Sequence, residues 1–421
     1  MASDRFQRMR APLRAAAVVG GIATAVGCGA APGARPPVAA LTALESPAAP
    51  GSGEPNLAVG PDGTLYLSWL EPTADGGHAL RLAARRDTAW SEPVTVASGD
   101  DFFVNWADFP SVIALPDGSL AAHWLVRTGR GAAYDIHVAR SRDGGATWAP
   151  AVVPHRDGTV SEHGFVSMLA GPDGRLTVVW LDGRKYAETG ASDHDPSAEM
   201  TVRLTTIDPD GALGPERLLD GRTCDCCQTA AAMTAAGPVV VYRDRSADEV
   251  RDIAIVRFVD GRWTEPRPVH EDGWVIPACP VNGPAIAAAG RDVVVAWFTA
   301  ANDPPRVRVA FSADAGATFG APLDVGAATP VGRVDVERLD DGTALVSWIE
   351  RTADAAEIRV RRIGAGGPIG PPHTVAASSA ARASGFPRMA RIGDEVVFAW
   401  TEPGRPSHVR VAAARLEGGS T

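Results

Sequence analysis

The chain lacks the features by which proteins usually hold nucleic acid or cross a membrane. Its 40 Lys and Arg are outnumbered by 50 Asp and Glu, which gives a formal net charge of −10. An acidic chain without basic clusters beyond its first residues argues against nucleic acid and anionic membranes as partners. Beyond residue 27, no apolar run reaches the about 20 residues of a membrane-spanning helix. We therefore expect contact with a membrane only through a lipid anchor.

The first 27 residues are typical of a secretory signal peptide. Four arginines precede a mostly apolar segment at 15–26, which is too short to span a bilayer. The sequence Ala-Val-Gly-Cys ending at Cys28 resembles a bacterial lipobox, in which the cysteine becomes the lipid-bearing N-terminus. An ordinary signal peptide with an incidental Cys28 is the alternative. Residues 28–36 are predicted to be a tether and residues 37–421 one domain.

Aromatic residues make up only 6% of the chain, yet seven of them recur at nearly the same phase. Each ends a short aliphatic run, and successive ones lie 51 to 62 residues apart. A regular repeat of about 40–50 residues with several strands per unit predicts a β-propeller. The fold is thus expected to be all-β, with seven four-stranded blades, or alternatively six and an irregular remainder. The aromatic residues are Trp69, Trp124, Trp180, Tyr242, Trp297, Trp348 and Trp400.

The seventh repeat supplies only three strands before the sequence ends. Residues 37–42, PVAALT, are similar to the outer strands of other repeats, such as EPVTVAS at 92–98. A strand from the N-terminal side that completed the last blade would close the ring and remove its exposed edges. We predict this closure.

Two turns between a third strand and an outer strand share the pattern S-x-D-x-G-x-T-[W/F]. The Asp carboxylate accepts backbone N–H groups across such a turn, the Gly permits the bend, and the aromatic ring plugs the blade. This pattern is the Asp-box, or BNR repeat, and through it the chain resembles the sialidase-like propeller superfamily. The resemblance implies that both turns are structural and lie opposite the ligand-binding face. Their key residues are Ser141, Asp143, Gly145 and Trp148, and Ser312, Asp314, Gly316 and Phe319.

The resemblance also implies a test for catalysis. Active sialidases use three arginines, an Asp acid/base and a late Tyr nucleophile, and they carry a Phe/Tyr-Arg-Ile-Pro motif. That motif is absent here, and none of the four tyrosines lies late in the chain. Arg388 would match a late arginine and Arg243 a middle one. We therefore predict that the usual sialidase mechanism is not used.

Cysteines are few, and apart from Cys28 all four lie in two predicted loops on one face. In an exported protein the first interpretation is disulfides, with Cys279 joined to one of the clustered three. The second is a thiolate site for copper(I) or zinc, because these ions favour sulfur ligands. His163 is a further candidate ligand. The four cysteines are Cys224, Cys226, Cys227 and Cys279.

Arginines and carboxylates alternate in the loops of the same face, mainly on blades three and four. Such an arrangement binds an anionic or hydroxylated ligand through charge-assisted hydrogen bonds. Alternatively, the charges pair across blades and only order the loops. The predicted ligand-binding residues are Arg184, Gln228, Arg243, Arg245, Asn282 and Arg388, and the candidate catalytic carboxylates are Asp108, Asp182 and Asp244.

The sequence therefore predicts an exported, lipid-anchored, sialidase-like propeller in the periplasm or at the cell surface. It would bind a glycan, a metal ion or an envelope protein on the face that carries these residues. An atypical glycoside hydrolase that uses the carboxylates of this face is the alternative.

Overall fold

The computed structural model describes residues 36–129, 133–189 and 199–417. The predicted signal peptide (1–27), the predicted lipidation site Cys28 and the tether up to residue 35 lie outside the described residues. Within these ranges the structure has one α-helix, α1 (Arg184–Thr189), and one short 3₁₀ turn at Arg382–Ser384. No helix in the described part of the chain is long and apolar enough to cross a membrane.

Seven antiparallel sheets form the blades of a propeller, as the repeat predicted. The first strand along the chain, β1 (Thr42–Leu44), belongs to the last blade. Blade one contains β2 (Gly53–Val59), β3 (Leu65–Pro72), β4 (His78–Arg86), β5 (Ala89–Trp90) and β6 (Val94–Gly99). Blade two contains β7 (Ser111–Ala114), β8 (Leu120–Arg127) and β9 (Tyr134–Ser141). Blade three contains β10 (His163–Ala170), β11 (Leu176–Asp182), β12 (Met200–Ile207) and β13 (Arg217–Thr223).

The remaining four blades follow in chain order. Blade four contains β14 (Ala230–Thr234), β15 (Gly237–Arg243), β16 (Ile253–Val259), β17 (Arg262–Trp263) and β18 (Arg267–His270). Blade five contains β19 (Ala285–Ala289), β20 (Asp292–Thr299), β21 (Arg306–Ser312) and β22 (Leu323–Asp324). Blade six contains β23 (Pro330–Arg338), β24 (Ala344–Arg351), β25 (Ala356–Gly364) and β26 (Gly367–Ser378). Blade seven contains β27 (Arg388–Ile392), β28 (Glu395–Glu402) and β29 (His408–Arg415), completed by β1.

The N-terminal strand closes the ring. Strand β1 pairs antiparallel with β29, with Thr42 opposite Ala413. An isolated bridge between Val38 and Leu416 extends the pairing, so the closing segment runs slightly beyond the predicted 37–42. Val38 is fully buried in the core of blades six and seven. Closure removes the open edge that blade seven would otherwise expose.

The recurring aromatic residues lie between the blades and explain the repeat. Trp69, Trp180, Trp297 and Trp348 are among the largest fully buried side chains. A buried indole N–H needs an acceptor, and in three blades the carboxylate two residues later supplies it. The indole N–H groups of Trp69, Trp180 and Trp348 donate to Glu71, Asp182 and Glu350, respectively.

The two Asp-box turns have the hydrogen bonds that their pattern predicts. In the first, the hydroxyl of Ser141 donates to Asp143, and the N–H of Gly145 donates back to that hydroxyl, both over 2.8 Å. The Gly145 backbone has a φ of +95°, which favours glycine. The second turn, from Ser312 to Phe319, repeats these bonds. Because third strands run away from the face where inner strands begin, both turns lie on the opposite face.

We expect the closing segment, residues 38–44, to contribute to the stability of the folded protein mainly through Val38. Replacing Val38 with Asp places a charge in the core of the last two blades and should lower the free energy of unfolding by about 3 kcal/mol. Urea denaturation followed by tryptophan fluorescence measures this loss. Thr42→Asp on the exposed side of β1 is the control and should cost roughly 0.5 kcal/mol or less. Equal losses in the two variants would contradict the role given to Val38.

Candidate functional site

A cavity of about 210 Å³ lies at the end of the central channel where the inner strands begin. Residues from all seven blades line it, so it is the mouth of the channel itself. Loops that join an outer strand to the next inner strand surround this mouth. Of the residues predicted from the sequence, Asp108, Gln228 and Arg388 line it.

Asp108 is the carboxylate that the structure places best for chemistry. It is 2% exposed, and it accepts a hydrogen bond of 2.6 Å from the hydroxyl of Tyr134 and one of 2.8 Å from the N–H of Phe165. The same hydroxyl lies 2.9 Å from an oxygen of Glu162. The carboxyl groups of Asp108 and Glu162 and the phenol of Tyr134 therefore form one hydrogen-bonded network at the channel wall.

Burial controls the protonation of this group. Desolvation raises the pKa of Asp108 to about 7, although the bonds from Tyr134 and Phe165 oppose the change. Desolvation and the neighbouring carboxylates raise the pKa of Tyr134 well above 10, so the phenol stays protonated. Gly164 is required beside them, because a Cβ there would lie 1.9 Å from an oxygen of Asp108. A carboxyl that titrates near neutrality is suited to general acid–base chemistry.

An aromatic and cationic group, which we call the aromatic rim, lies next to the cavity. The rings of Trp106 and Phe109 are half-buried and lie 5.9 Å and 5.6 Å from the ring of Phe386. The guanidinium groups of Arg333 and Arg382 lie over Trp106 at 4.7 Å and 5.9 Å. Arg382 is exposed, whereas Arg333 is buried and donates to the backbone and side chain of the 381–385 turn.

Three predicted ligand-binding residues contribute to the mouth in different ways. Arg388 is part-exposed and lies 3.7 Å from a carboxylate oxygen of Asp335. Gln228 joins three blades, because its side-chain amide donates to the carbonyl of Ala107 and accepts the N–H of Gly283. Asn282 is buried and bonds to backbone groups of the next blade. Arg388 is thus available to a ligand, whereas Gln228 and Asn282 hold the loops together.

The other charged candidates on blade four are structural. Arg243 is 1% exposed, and its nitrogens donate to three backbone carbonyls, so it is not placed to reach a ligand. Arg245 is buried and pairs with Glu249 and Asp225. Asp244 lies outside the channel mouth, and burial together with neighbouring carboxylates raises its pKa to about 6. For these residues the structure favours the interpretation in which the charges bond to other protein groups and order the loops.

His163, Asp182 and Arg184 belong to another cluster, between blades two and three. Asp182 is fully buried and accepts two hydrogen bonds from Arg184 as well as one from the Trp180 indole, so it is not placed to reach a substrate. His163 lies beside His155 with two further carboxylates, and not with the cysteines. The structure therefore does not bring His163 together with the cysteines, and its prediction as a metal ligand applies to this separate group.

The four clustered cysteines divide into a disulfide and a close pair. Cys226 is joined to Cys279, which ties the loop before blade four to the loop before blade five. The sulfurs of Cys224 and Cys227 are buried and 2.7 Å apart. The guanidinium of Arg251 lies 3.4 Å from the sulfur of Cys224. The joined pair agrees with the disulfide interpretation, while the sulfurs of Cys224, Cys226 and Cys279 also lie within 4.8 Å of one another, so the thiolate site stays an alternative prediction.

The sequence analysis missed Tyr134, Glu162 and the aromatic rim. The four tyrosines were only checked for a late position, and Tyr134 was given no role, although it begins a third strand on the ligand-binding face. Glu162 directly precedes His163 in the loop that was already singled out. Tyr134 and Glu162 both lie beside loops of the ligand-binding face, and a buried phenol there needs an acceptor. This could have indicated the pair from the sequence.

The raised pKa of Asp108 predicts a specific pH dependence of stability. Between about pH 4 and pH 7 the folded protein holds a proton that the unfolded chain has released, so stability falls as pH rises. Asp108→Asn removes this titration and keeps the shape. The stability of the native protein relative to the variant should fall by on the order of 3 kcal/mol from pH 4 to pH 8. Urea denaturation across this range measures it, and parallel pH curves would contradict the assignment.

The disulfide between Cys226 and Cys279 is expected to raise the free energy of unfolding. A bridge that closes a loop of 53 residues is expected to contribute about 2–4 kcal/mol. Cys279 is exposed, so Cys279→Ser removes little packing and should lower the unfolding free energy by that amount. Reductant should produce the same loss in the native protein. Mass spectrometry of an unreduced digest should show the 226–279 peptide pair, and a different pairing would refute the assignment.

Comparisons with known proteins support the fold. No protein-family model matches the chain, and no curated protein matches it. A crystal structure of a Dyadobacter fermentans protein of unknown function is 17% identical, with a TM-score of 0.52, over 92% of this chain and all of that one. An ulvan lyase of polysaccharide lyase family PL25 is 14% identical, with a TM-score of 0.50, over 77% and 81%. Polysaccharide lyase Uly1 is 10% identical, with a TM-score of 0.50, over 84% and 88%. At these identities the chain shares a propeller fold with proteins that include polysaccharide lyases.

Proposed function

We propose that the protein binds an anionic polysaccharide at the channel mouth. The observation that carries the proposal is the aromatic rim beside Arg388, at a cavity lined by all seven blades. Flat aromatic faces suit the apolar faces of sugar rings, while exposed guanidinium groups suit carboxylate or sulfate groups. The fold shared with two polysaccharide lyases supports a glycan as the ligand. A metal ion or an envelope protein is a less favoured partner.

The proposal includes the location of the protein. The N-terminal sequence favours export and a lipid anchor at Cys28, which would present the propeller in the periplasm or at the cell surface. Extracellular polysaccharides are accessible there. The resemblance to sialidase-like propellers is consistent with this setting, although the residues of the usual sialidase mechanism are missing.

Binding should depend on the rim and not on the opposite face. Trp106→Ala and Arg388→Ala are each expected to weaken binding of an anionic polysaccharide about tenfold, the equivalent of about 1.4 kcal/mol. Affinity electrophoresis with carboxylated, sulfated and neutral polysaccharides measures the effect. Trp263→Ala and Arg142→Ala are matched controls on the opposite face, because Arg142 lies in the turn after β9 and Trp263 in the short strand β17 that follows the end of β16. Equal losses in all four variants, or binding of neutral polysaccharides alone, would contradict the proposal.

Cleavage of the bound polysaccharide is the second candidate function. It is favoured by one observation: Asp108 lines the cavity, titrates near pH 7 and shares a proton network with Tyr134 and Glu162. An Asp108 carboxyl in this state would donate or accept the proton of a glycosidic cleavage. Hydrolysis would release a reducing end, whereas elimination would also leave an unsaturated sugar that absorbs ultraviolet light.

Asp108→Asn separates cleavage from binding. If the protein is an enzyme, the variant should lose at least about 100-fold in turnover and keep its affinity for the polysaccharide. Reducing-end and ultraviolet assays on the polysaccharides that bind measure the turnover. Absence of products with the native protein would exclude cleavage of those polysaccharides and leave binding as the function.

A further inference from the structure

Two buried histidines and two carboxylates form a compact group between blades two and three that the glycan site does not use. The rings of His155 and His163 are stacked, with centroids 3.7 Å apart and planes inclined by 2°. One oxygen of Asp135 lies 3.5 Å from Nδ1 of His163 and 3.6 Å from Nε2 of His155. One oxygen of Asp157 lies 3.2 Å from Nε2 of His163 and 3.5 Å from Nδ1 of His155. Each oxygen therefore faces both rings.

The group is incompletely satisfied as it stands. His163 is fully buried, and neither of its ring nitrogens makes a hydrogen bond of acceptable geometry. The Asp157 oxygen that faces both rings has the same defect, although all these contacts are within ion-pair distance. Buried polar atoms in folded proteins are almost always bonded. Of these three atoms, Nδ1 of His163 faces the Asp135 oxygen, and a cation bound there would satisfy it.

The contacts of the two rings indicate where this ligand would bind. The N–H of Ile136 donates to Nε2 of His155 over 3.4 Å, so that nitrogen carries a lone pair and the ring proton lies on Nδ1, facing Asp157. The shortest contact of His163 also places its proton toward Asp157. On the Asp135 side, Nδ1 of His163 and Nε2 of His155 both face one carboxylate oxygen, and the long bond from the Ile136 N–H to His155 would give way to an ion there. A cation there would remove the mutual repulsion of these three atoms.

We propose that Asp135, His155 and His163 bind a divalent transition-metal ion such as Zn²⁺. Two atoms bound tetrahedrally at 2.0–2.1 Å from one zinc ion lie about 3.3 Å apart, close to the 3.5 Å and 3.6 Å observed. Two imidazoles among three ligands disfavour Ca²⁺ and Mg²⁺, which prefer oxygen. Because an ion lies in the plane of each ring it binds, one of the parallel rings must tilt on binding.

The surroundings fit this assignment. One oxygen of Asp157 lies within 3.5 Å of the remaining ring nitrogen of each histidine, which is where a carboxylate usually lies beside metal-bound histidines. The guanidinium of Arg184 lies 3.5 Å from Asp157 and disfavours a second cation on that side. The Asp135 side chain is 24% exposed, so an ion and a water ligand can reach the site from solvent.

The metal site adjoins the Asp108 network through the backbone. Asp135 directly follows Tyr134, and His163 directly follows Glu162. In each pair the first side chain belongs to the Asp108 network and the second belongs to the metal site. The N–H of Tyr134 also donates to the carbonyl of Ser161 and joins the two segments. An ion at Asp135 and His163 would fix both segments that hold Tyr134 and Glu162. The inference does not depend on the proposed glycan function.

Metal binding is tested on the purified chain after removal of any polyhistidine tag and treatment with a chelator. Calorimetric titration with Zn²⁺ should give one ion per chain with a micromolar or tighter dissociation constant, and the melting temperature should rise. Ca²⁺ and Mg²⁺ should produce neither effect. Co²⁺ should give a tetrahedral visible spectrum without a thiolate charge-transfer band, which distinguishes this site from the cysteines.

Variants identify the ligands. Asp135→Asn and His163→Asn should abolish the binding of Zn²⁺, and Asp157→Asn should weaken it about 10–100-fold. His373→Asn, on β26 of blade six, is the matched control and should bind as the native chain does. Asp135→Asn is nearly isosteric and decides the question if His163→Asn does not fold, as judged by circular dichroism. Failure of the native chain to bind Zn²⁺, retained binding in Asp135→Asn or a cobalt–thiolate spectrum would overturn the proposal.

Discussion

Closure of the ring is the constraint on which the other features depend. Seven sheets can surround a channel only if the last blade presents a complete face to the first, and β1 supplies the missing strand beside β29. With the ring closed, the inner strands of all blades begin on one face, and their loops meet around one cavity. The candidate functional site is thus a property of the whole ring and not of any single blade.

The need to bond buried polar groups explains why most of the charged residues predicted to bind a ligand are bonded to protein groups instead. It also explains the carboxylates that follow the recurring tryptophans. Each fully buried indole needs an acceptor, and a carboxylate at the end of the second strand supplies it in several blades. Arg243 in turn satisfies three backbone carbonyls. Many of the charges near the ligand-binding face are therefore needed to hold the blades together. Those left for a ligand are concentrated near Trp106 and Arg388.

The sequence was sufficient for the fold, because strand periodicity and turn chemistry recur in every blade and are local. It also placed Asp108 and Arg388 on the face where both line the cavity, because strand order fixes the face on which each residue lies. It did not reveal which side chains are already bonded. Arg243 is a residue type typical of a binding site, and only the folded structure shows that its carbonyl partners at 282 and 298 come from distant segments. Asp182 is bonded by its near neighbours Trp180 and Arg184, which its residue type alone did not reveal. The group around His163 was missed because Asp135 lies on β9, whereas His155 lies in the segment between β9 and β10.

The closing strand also has a consequence for folding. Thr42 pairs with Ala413, so the contact that completes the ring joins residues near the two ends of the described chain. Contacts between such distant residues are slow to form. Until β1 pairs with β29, the ring has an unpaired strand edge. This order keeps the polypeptide from reaching its final form before its C-terminal strands have been made.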